Sequence, residues 1–302
     1  MPSNLAIRDR VSQGAAGYLA VLIATACWGT SGIFVKYIAA DGGITALALA
    51  FWRDTATFLV LLIGVLFVRP SLLRVQRRDL PWLAALGGSL GAFHVFWNLA
   101  VMLNGAAVAT VQQAAMPAIV TVVAWITWRE PLTQQKILAI ILTFIGTVFV
   151  SGLDVLGQAE LSLQGLLVGL AVPVFYAAWN LFGKKTRQHC NPFTILTYSF
   201  GFASLALLPL QFFSPQPWPV PRMTWLWFAG LISLSTIIPF SFYIFALGRL
   251  PASVASIWAM TEIPIVAVYA NLLLDERLTP NHILGAVLVV VGVLLLAKRN
   301  RT

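Results

Sequence analysis

The chain has 302 residues, of which 59% are hydrophobic and only 10% are charged, and its mean hydropathy is +0.87. That composition excludes an ordinary soluble domain, and apolar runs long enough to cross a hydrocarbon core of ~30 Å recur along nearly its whole length. The strands of a closed barrel alternate apolar and polar residues, whereas these runs do not. We therefore expect an all-α polytopic membrane protein.

Ten transmembrane helices are predicted from the apolar runs, in chain order. They cover 16–38, 44–68, 81–103, 106–128, 136–153, 164–183, 193–213, 224–247, 251–273 and 281–297. A cytoplasmic N-terminus places 15 of the 19 Lys and Arg residues in the cytoplasm, as the positive-inside rule favours. Both termini are therefore predicted to be cytoplasmic. The net charge of +9 reflects this topology and indicates no nucleic-acid partner.

The N-terminus and the two cysteines add little chemistry. Arg8 and Arg10 precede a full-length span without a convincing cleavage site, which favours a retained first helix over a removed signal peptide. Cys27 lies in that span and Cys190 in a basic loop, so we expect no disulfide between them and no metal site. Arg74, Arg77 and Arg78 are expected to meet anionic lipid headgroups.

Residues 108–151 occur a second time as residues 254–297, at a constant offset of 146 and without a gap. Thirteen of the 44 aligned pairs are identical, and the informative ones are turn and packing residues. Glu130 aligns with Glu276, Leu132-Thr133 with Leu278-Thr279, and Gly146 with Gly292. The pattern indicates an internal duplication.

The duplication predicts the topology of the two halves. Extending it backwards at an offset near 148 aligns Trp28 with Tyr176, so the repeat covers the chain. We expect a cytoplasmic tail at 1–15, a first five-helix repeat at 16–153, an external linker at 154–163 and a second repeat at 164–298. Because five is odd, the two repeats must insert upside down around a central cavity. Such inverted repeats are typical of transporters.

Several motifs occur in an order that matches a known family. They are the Trp28-Gly29 pair, Arg53 within the second span, a proline in the fourth span of each half (Pro117 and Pro264), and Glu-x-Leu-Thr followed by a glycine in the last span. In these features the chain resembles the drug/metabolite transporter superfamily, and specifically its paired EamA-type domains. Two departures are visible, because Ala139 aligns with Gly285, and Pro117 aligns with Ile263 instead of with Pro264.

The resemblance implies both a fold and a function. It implies a cavity lined mainly by spans 1, 3, 4, 6, 8 and 9, and export of small organic solutes across a bacterial inner (plasma) membrane. Within the superfamily the chain looks most like exporters of aromatic amino acids, so aromatic and other neutral amino acids such as threonine and methionine are the expected substrates. An exporter of cationic or quaternary ammonium drugs or metabolites is the alternative within transport. A non-transporting receptor or scaffold is a hypothesis from a different functional class, and the duplication and the polar residues within several spans disfavour it. Proton coupling, the resting conformation and the choice between monomer and homodimer stay open.

Enzyme motifs are missing from the sequence. Gly183-Lys184-Lys185-Thr186 is only a fragment of a phosphate-binding loop, and the three histidines, His94, His189 and His282, lack metal-type spacing. We therefore expect no enzymatic activity, no cofactor and no metal.

Ionisable residues inside spans are functional candidates by default. Glu262 lies at the centre of the ninth span. It either faces a cavity, where it would bind a substrate ammonium or exchange a proton, or is a protonated side chain bonded to backbone loosened by Pro264; His94 is a possible partner. Arg53 and Asp54 point about 100° apart and cannot simply neutralise one another. Arg53 either bonds to a neighbouring helix or docks a substrate carboxylate.

Aromatic and amide side chains near span centres complete the candidate site, since a bulky organic solute needs stacking surfaces and a few orienting polar groups. The substrate-binding candidates are Trp28, His94, Trp97, Asn98, Gln112, Gln113, Met116, Tyr176, Trp179, Asn180, Tyr243, Trp258 and Glu262. The hinge candidates are Gly29, Pro117, Pro173, Pro239 and Pro264. An interfacial aromatic belt is the alternative for Trp97 and Tyr243. Gly87, Gly88, Gly91, Gly146, Gly285 and Gly292 are expected to be helix contacts.

Overall fold

The computed structural model describes residues 4–152, 163–214, 217, 219–274 and 279–297, and regular structure in this part of the chain is helical throughout. The α-helices are α1 (Asn4–Trp28), α2 (Ser31–Gly42), α3 (Ala46–Val68), α4 (Leu80–Gln113), α5 (Met116–Trp128), α6 (Gln134–Val150), α7 (Leu163–Thr186), α8 (Pro192–Leu207), α9 (Arg222–Ile232), α10 (Ile238–Leu247), α11 (Ala252–Ala259), α12 (Glu262–Leu274) and α13 (Pro280–Ala297). A π-helical segment, Ser233–Ile237, joins α9 to α10. The predicted linker at 154–163, apart from its last residue, lies outside the described residues, as does Glu276.

Among the described residues, eight helical segments are long and apolar enough to cross a membrane by length and composition, and α6 and α13 are shorter apolar helices. The eight segments are Gly14–Ile38, Ala46–Val68, Leu80–Ala100, Val108–Trp128, Leu163–Thr186, Pro192–Phe213, Arg222–Leu247 and Ala252–Leu273. They coincide with eight of the predicted spans to within a few residues, and the two shorter helices coincide with the fifth and tenth. An all-helical, multi-pass membrane architecture is thereby confirmed, whereas the inverted arrangement of the halves stays a prediction.

The connection between the third and fourth spans is itself helical. The two spans were predicted at 81–103 and 106–128, and helical geometry continues between them over Leu80–Gln113. The chain still reverses, because Phe93 stacks on Tyr176 at 4.5 Å, while Met116 contacts Asn180, one turn further along α7. A straight helix would carry Met116 more than ~30 Å away from Phe93. The reversal is therefore made with helical backbone, between the membrane-span segments Leu80–Ala100 and Val108–Trp128.

Helix ends recur at the repeat offset of 146. Both α3 and α8 begin after a capping residue, Thr45 and Asn191, whose side chain accepts a backbone N–H. The break between α4 and α5 falls at 114–115 and that between α11 and α12 at 260–261, although the two prolines are out of register. The position of the helix break is therefore shared by the two repeats and does not depend on the exact position of the proline.

The short helices α6 and α13 pack against each other within one chain. A Cβ on Gly146 would lie 2.7 Å from the carbonyl oxygen of Gly285, and a Cβ on Gly285 would lie 2.5 Å from that of Gly146. Gly292 approaches the carbonyl oxygen of Ala139 in the same interface. These glycines are confirmed as helix contacts, because only a hydrogen at Cα permits so close an approach.

The glycines of α4 behave less uniformly. Gly87 and Gly91 lie against the backbone of Ser199 and Ala203 on α8, as expected. Gly88 was also expected to be a helix contact, but a Cβ there would meet nothing within 4 Å. That prediction is wrong, because Gly88 is rotated about 100° from Gly87 and faces away from α8.

Candidate functional site

A cluster of aromatic rings occupies the centre of the bundle, and we call it the aromatic cluster. Trp179 stacks on Tyr243 with centroids 5.5 Å apart, and Phe240 meets both Trp28 and Trp179 edge to face at 5.3 and 5.1 Å. Tyr176 lies 6.0 Å from Trp179. All five side chains are buried and come from α1, α7 and α10, so residues from both halves build the cluster.

Asn180 orients the polar edge of the aromatic cluster. The Tyr243 hydroxyl donates to Asn180 Oδ1 at 2.5 Å, and Asn180 Nδ2 donates to the carbonyl of Tyr176 at 3.2 Å. Met116, the first residue of α5, lies 3.8 Å from the same amide nitrogen through its sulfur. Asn180 is fully buried, so its amide is fixed by these contacts and presents a rigid polar group among the rings.

A buried acid–base pair lies beside the aromatic cluster. His94 Nδ1 is 2.8 Å from Asp54 Oδ1 and 3.1 Å from Oδ2, and the two residues are 4% and 0% exposed. The imidazole ring also meets Phe240 edge to face at 6.1 Å. His94 was one possible partner of Glu262, and in the structure its Nδ1 contacts Asp54 instead. The helical rotation of α3 explains the difference, because it turns Asp54 towards α4.

Arg53 points to a different neighbour. Its Nε donates to Thr236 Oγ1 at 2.9 Å, and Thr236 lies in the π-helical segment. The Thr236 hydroxyl in turn donates to the carbonyl of Leu231. The predicted bond of Arg53 to a neighbouring helix is therefore present. π-Helical segments are rare in proteins, and those that occur are often found at functional sites.

Glu262 opens α12 at the helix break. A carboxylate in a first helical turn is stabilised by the partial positive charge of the helix N-terminus. It lies within electrostatic range of the Arg53 guanidinium and the Tyr176 hydroxyl. One basic and one acidic side chain therefore lie within electrostatic range of each other, and the acidic one is within that range of Tyr176 in the aromatic cluster.

Hydroxyl pairs join the two halves at the helix breaks. Thr25 Oγ1 lies 3.0 Å from Thr261 Oγ1, and Thr30 Oγ1 lies 2.7 Å from Ser235 Oγ. Each pair links the region around the end of α1 to a break or π-helical segment in the second half. Such short polar contacts hold helices together without large burial of charge.

Not all of the predicted binding residues meet at the centre. The structure brings together Trp28, His94, Met116, Tyr176, Trp179, Asn180 and Tyr243, with Glu262 in electrostatic range. Four others have separate contacts. Trp97 packs near Ala100 and Val172, Asn98 Nδ2 donates to the Ala46 carbonyl, Gln112 lies against Gly169, and Trp258 packs on Tyr18 at 4.4 Å. Gln113 is half-buried at the end of α4.

Four of the five hinge candidates lie at interruptions of α-helix. Gly29 lies between α1 and α2, Pro117 and Pro264 lie in the first turns of α5 and α12, and Pro239 follows the π-helical segment. The fifth, Pro173, lies inside the unbroken helix α7. In this conformation Pro173 makes no break, since membrane helices tolerate proline where local adjustments satisfy the freed carbonyl.

Several central residues were missed as binding candidates from the sequence. Phe240 contacts His94, Trp28 and Trp179, and Phe93 stacks on Tyr176. Asp54 and Thr236 join the site through His94 and Arg53. The repeat offset of 146, which aligns His94 with Phe240, was the signal that would have located Phe240.

A small apolar pocket lies elsewhere, at the N-terminal ends of α3 and α9. Ile44, Ala48, Leu49, Trp52, Pro217, Val220, Thr224, Trp225 and Phe228 line it. It contains no charged lining residue. The central cluster, with its fixed polar groups, is therefore the better candidate site for an organic solute.

Comparison with known proteins agrees with the repeat and the helical fold. Residues 15–152 and 163–298 both match the model of the EamA-like transporter family. The chain belongs to the EamA-like transporter family. The two matches recover the duplication, and a small-molecule transporter is the coarse function that membership supports.

Relatives of this EamA-family protein are also named as transporters. An uncharacterized transporter of Archaeoglobus fulgidus is 28% identical over 75% of this chain and 81% of its own length. The uncharacterized transporter YoaV of Bacillus subtilis is 24% identical over 91% and 94%. The threonine/homoserine exporter RhtA of Escherichia coli is 26% identical over 80% and 77%. These names agree with the expectation that the chain is not an enzyme.

A solved crystal structure aligns with this chain at a TM-score of 0.78 and 18% sequence identity. The alignment covers 95% of this chain and 98% of the other. At that identity the likeness shows the fold alone.

Proposed function

We propose that the protein exports amino acids across the bacterial inner membrane by alternating access of two inverted five-helix halves. The preferred substrates are aromatic amino acids, with threonine, methionine and other neutral ones as further candidates. The narrower resemblance to the aromatic amino acid exporter YddG motivates this order, and the named activity of the relative RhtA supports amino acids as the class.

One observation carries the substrate class. Arg53 and Glu262 are a basic and an acidic side chain within electrostatic range of one another, and Glu262 is also within that range of Tyr176 in the aromatic cluster. A zwitterionic amino acid needs both a cation for its carboxylate and an anion for its ammonium, whereas a cationic drug needs only the anion. The rings of Trp28, Trp179 and Tyr243 suit an aromatic side chain or an ammonium through stacking and cation–π contact.

The recurrence of helix ends at the offset of 146 supports the inverted arrangement and the proposed hinges. The halves meet at hydroxyl pairs beside interruptions of α-helix, as for Thr25 with Thr261. Interruptions of this kind let rigid helical parts rotate about a few residues. Because side chains fill the aromatic cluster here, the halves must separate locally to admit a solute.

Reconstitution into liposomes tests the proposal. Efflux of labelled phenylalanine, tryptophan, tyrosine, threonine, homoserine and methionine is compared with efflux from vesicles without protein. We expect flux of at least the aromatic amino acids. No flux above empty vesicles for the whole panel would reject the amino acid function, and transport restricted to quaternary ammonium compounds would favour the cation exporter.

Charge-neutralising variants test the site in the same assay. Glu262→Gln and Arg53→Gln are each expected to lower amino acid flux about ten-fold or more, since one such contact to a charged group contributes ~1.5–3 kcal/mol. Lys36→Gln on α2 is the matched control, because Lys36 is exposed and outside the cluster. Unchanged flux of Glu262→Gln at every pH would remove Glu262 from the mechanism.

A further inference from the structure

The duplication offers an internal control for the buried pair Asp54–His94. At the offset of 146, Asp54 aligns with Phe200 and His94 with Phe240. The helix starts agree with this register, since α3 begins at Ala46 and α8 at Pro192. Phe200 and Phe240 are in direct contact, with ring centroids 5.3 Å apart in an edge-to-face arrangement. The same position in the two halves therefore holds an acid–base pair in one and two phenylalanines in the other.

The comparison argues that the fold does not need the charged pair. In the second half, apolar rings fill the same interface between the second and third spans of the repeat. A buried ionisable pair carries a desolvation penalty that often exceeds its Coulombic gain, and apolar replacements are often as stable. A pair kept inside a membrane in spite of that cost is by default a functional feature.

The geometry of His94 leaves one nitrogen able to take a proton. Nδ1 donates to the Asp54 carboxylate, so Nε2 carries the lone pair. Nε2 is buried and has no hydrogen-bond partner among the described residues. Binding a proton at Nε2 converts the pair from imidazole and carboxylate to imidazolium and carboxylate, which changes its net charge from −1 to 0. The carboxylate then compensates the new charge directly.

We propose that Asp54 and His94 form the proton-binding site of a proton/amino acid antiporter, an inference that rests on the proposed export function. Arg53 is the second charged group acting on His94, and Glu262 acts on Arg53 in turn. The ring of Phe240 on α10 meets the His94 imidazole directly, and Phe200 on α8 lies behind Phe240. Tyr176 on α7 is the nearest titratable group from that side, and it stacks on Phe93 beside His94. An imidazolium adds positive charge to this cluster and so opposes entry of a substrate ammonium. Proton and amino acid thus occupy the centre alternately, and inward proton flow drives the solute out.

Two measurements on the full-length protein test the inference. In detergent at weak buffering, addition of phenylalanine is expected to release protons from wild type, as followed with a pH indicator dye. In liposomes, a gradient of one pH unit is expected to drive phenylalanine up to about a ten-fold concentration ratio at one proton per substrate. Asp54→Phe/His94→Phe, which copies the pair of the second half, should lose both proton release and pH-driven accumulation.

The outcomes separate this inference from the proposed function. Absence of amino acid flux in wild type under all conditions rejects the export function itself. Flux in wild type that ignores the pH gradient, or a double variant that still responds to it, overturns only the proton site. Asp54→Asn, which preserves shape, is measured for proton release as well, with gel filtration as the check on folding. If Asp54→Asn released as many protons as the wild-type protein, the proposal would also be overturned.

Discussion

The carboxylate of Glu130 accepts a hydrogen bond from the backbone N–H of Ala252 at 2.9 Å. Glu130 belongs to the loop between α5 and α6, whereas Ala252 is the first residue of α11, so the contact joins the two halves. Ser253 donates to the same carboxylate through its hydroxyl, and Lys136 Nζ lies 3.5 Å away. Glu130 thus caps a helix of the opposite repeat. In the first half, this contact gives a physical reason for the acid that begins the Glu-x-Leu-Thr motif.

Removing this cap is expected to destabilise the protein. Glu130→Ala leaves the first N–H groups of α11 without their acceptor, and loss of a helix cap costs about 0.5–2 kcal/mol. We expect a melting temperature in detergent lower by a few degrees. Gln135→Ala is the control, because Gln135 is the second residue of α6 and its side chain is exposed. Equal melting temperatures for Glu130→Ala and Gln135→Ala would show that the cap contributes nothing.

The α6–α13 interface predicts a strong effect at Gly146. Gly146→Val places a side chain within 3 Å of the backbone at Gly285 and Val289, so the two helices must separate. Overpacking of this kind costs about 1–3 kcal/mol or more. Gly64→Val in α3 is the matched control, since a Cβ there meets nothing within 4 Å. Thermal unfolding in detergent should show a loss of stability for Gly146→Val only, and similar losses in both variants would contradict the close packing.

The hydroxyl of Tyr243 predicts a subtle effect in the aromatic cluster. Tyr243→Phe keeps the ring but leaves Asn180 Oδ1 without its donor in a buried site. An unsatisfied buried acceptor costs about 1–3 kcal/mol, and the freed Asn180 amide can no longer hold one orientation. We expect lower amino acid flux, measured in liposomes. Tyr37→Phe on α2 is the control, because Tyr37 is 39% exposed and outside the cluster.

The orientation predicted from the Lys and Arg distribution can be read with impermeant thiol reagents. In a protein with Cys27 and Cys190 replaced by serine, Gln188→Cys should react only from the cytoplasmic side and Arg222→Cys only from the opposite side, since both positions are exposed. The native Cys190 is a poor probe, because burial and the nearby Asp79 raise the pKa of its thiol and so reduce the thiolate at neutral pH. Labelling of both positions from one side would contradict the predicted topology.

The sequence alone located the helices, because membrane insertion depends on a local property. About twenty consecutive apolar residues must satisfy their own backbone in a hydrocarbon core, so hydropathy predicts each span without knowledge of its neighbours. The duplication was equally legible from the sequence, whereas the structure showed that the breaks before Met116 and Glu262 share one register although the prolines do not. The roles of Gly146 and Gly285 also followed from sequence, since small residues are enriched where membrane helices touch.

Partner choice between helices required the tertiary structure. Asp54 is 40 residues from His94, and Glu130 is 122 residues from Ala252, so no local pattern links them. Which of two adjacent charges, Arg53 or Asp54, meets α4 depends on the rotation of α3, and packing sets that rotation. For the same reason Trp97 packs near Ala100 and Val172, whereas Trp28 contacts Trp179, although both lie within spans. Periodicity fixes which residues share a face, whereas the shape and fit of neighbouring helices decide what that face meets.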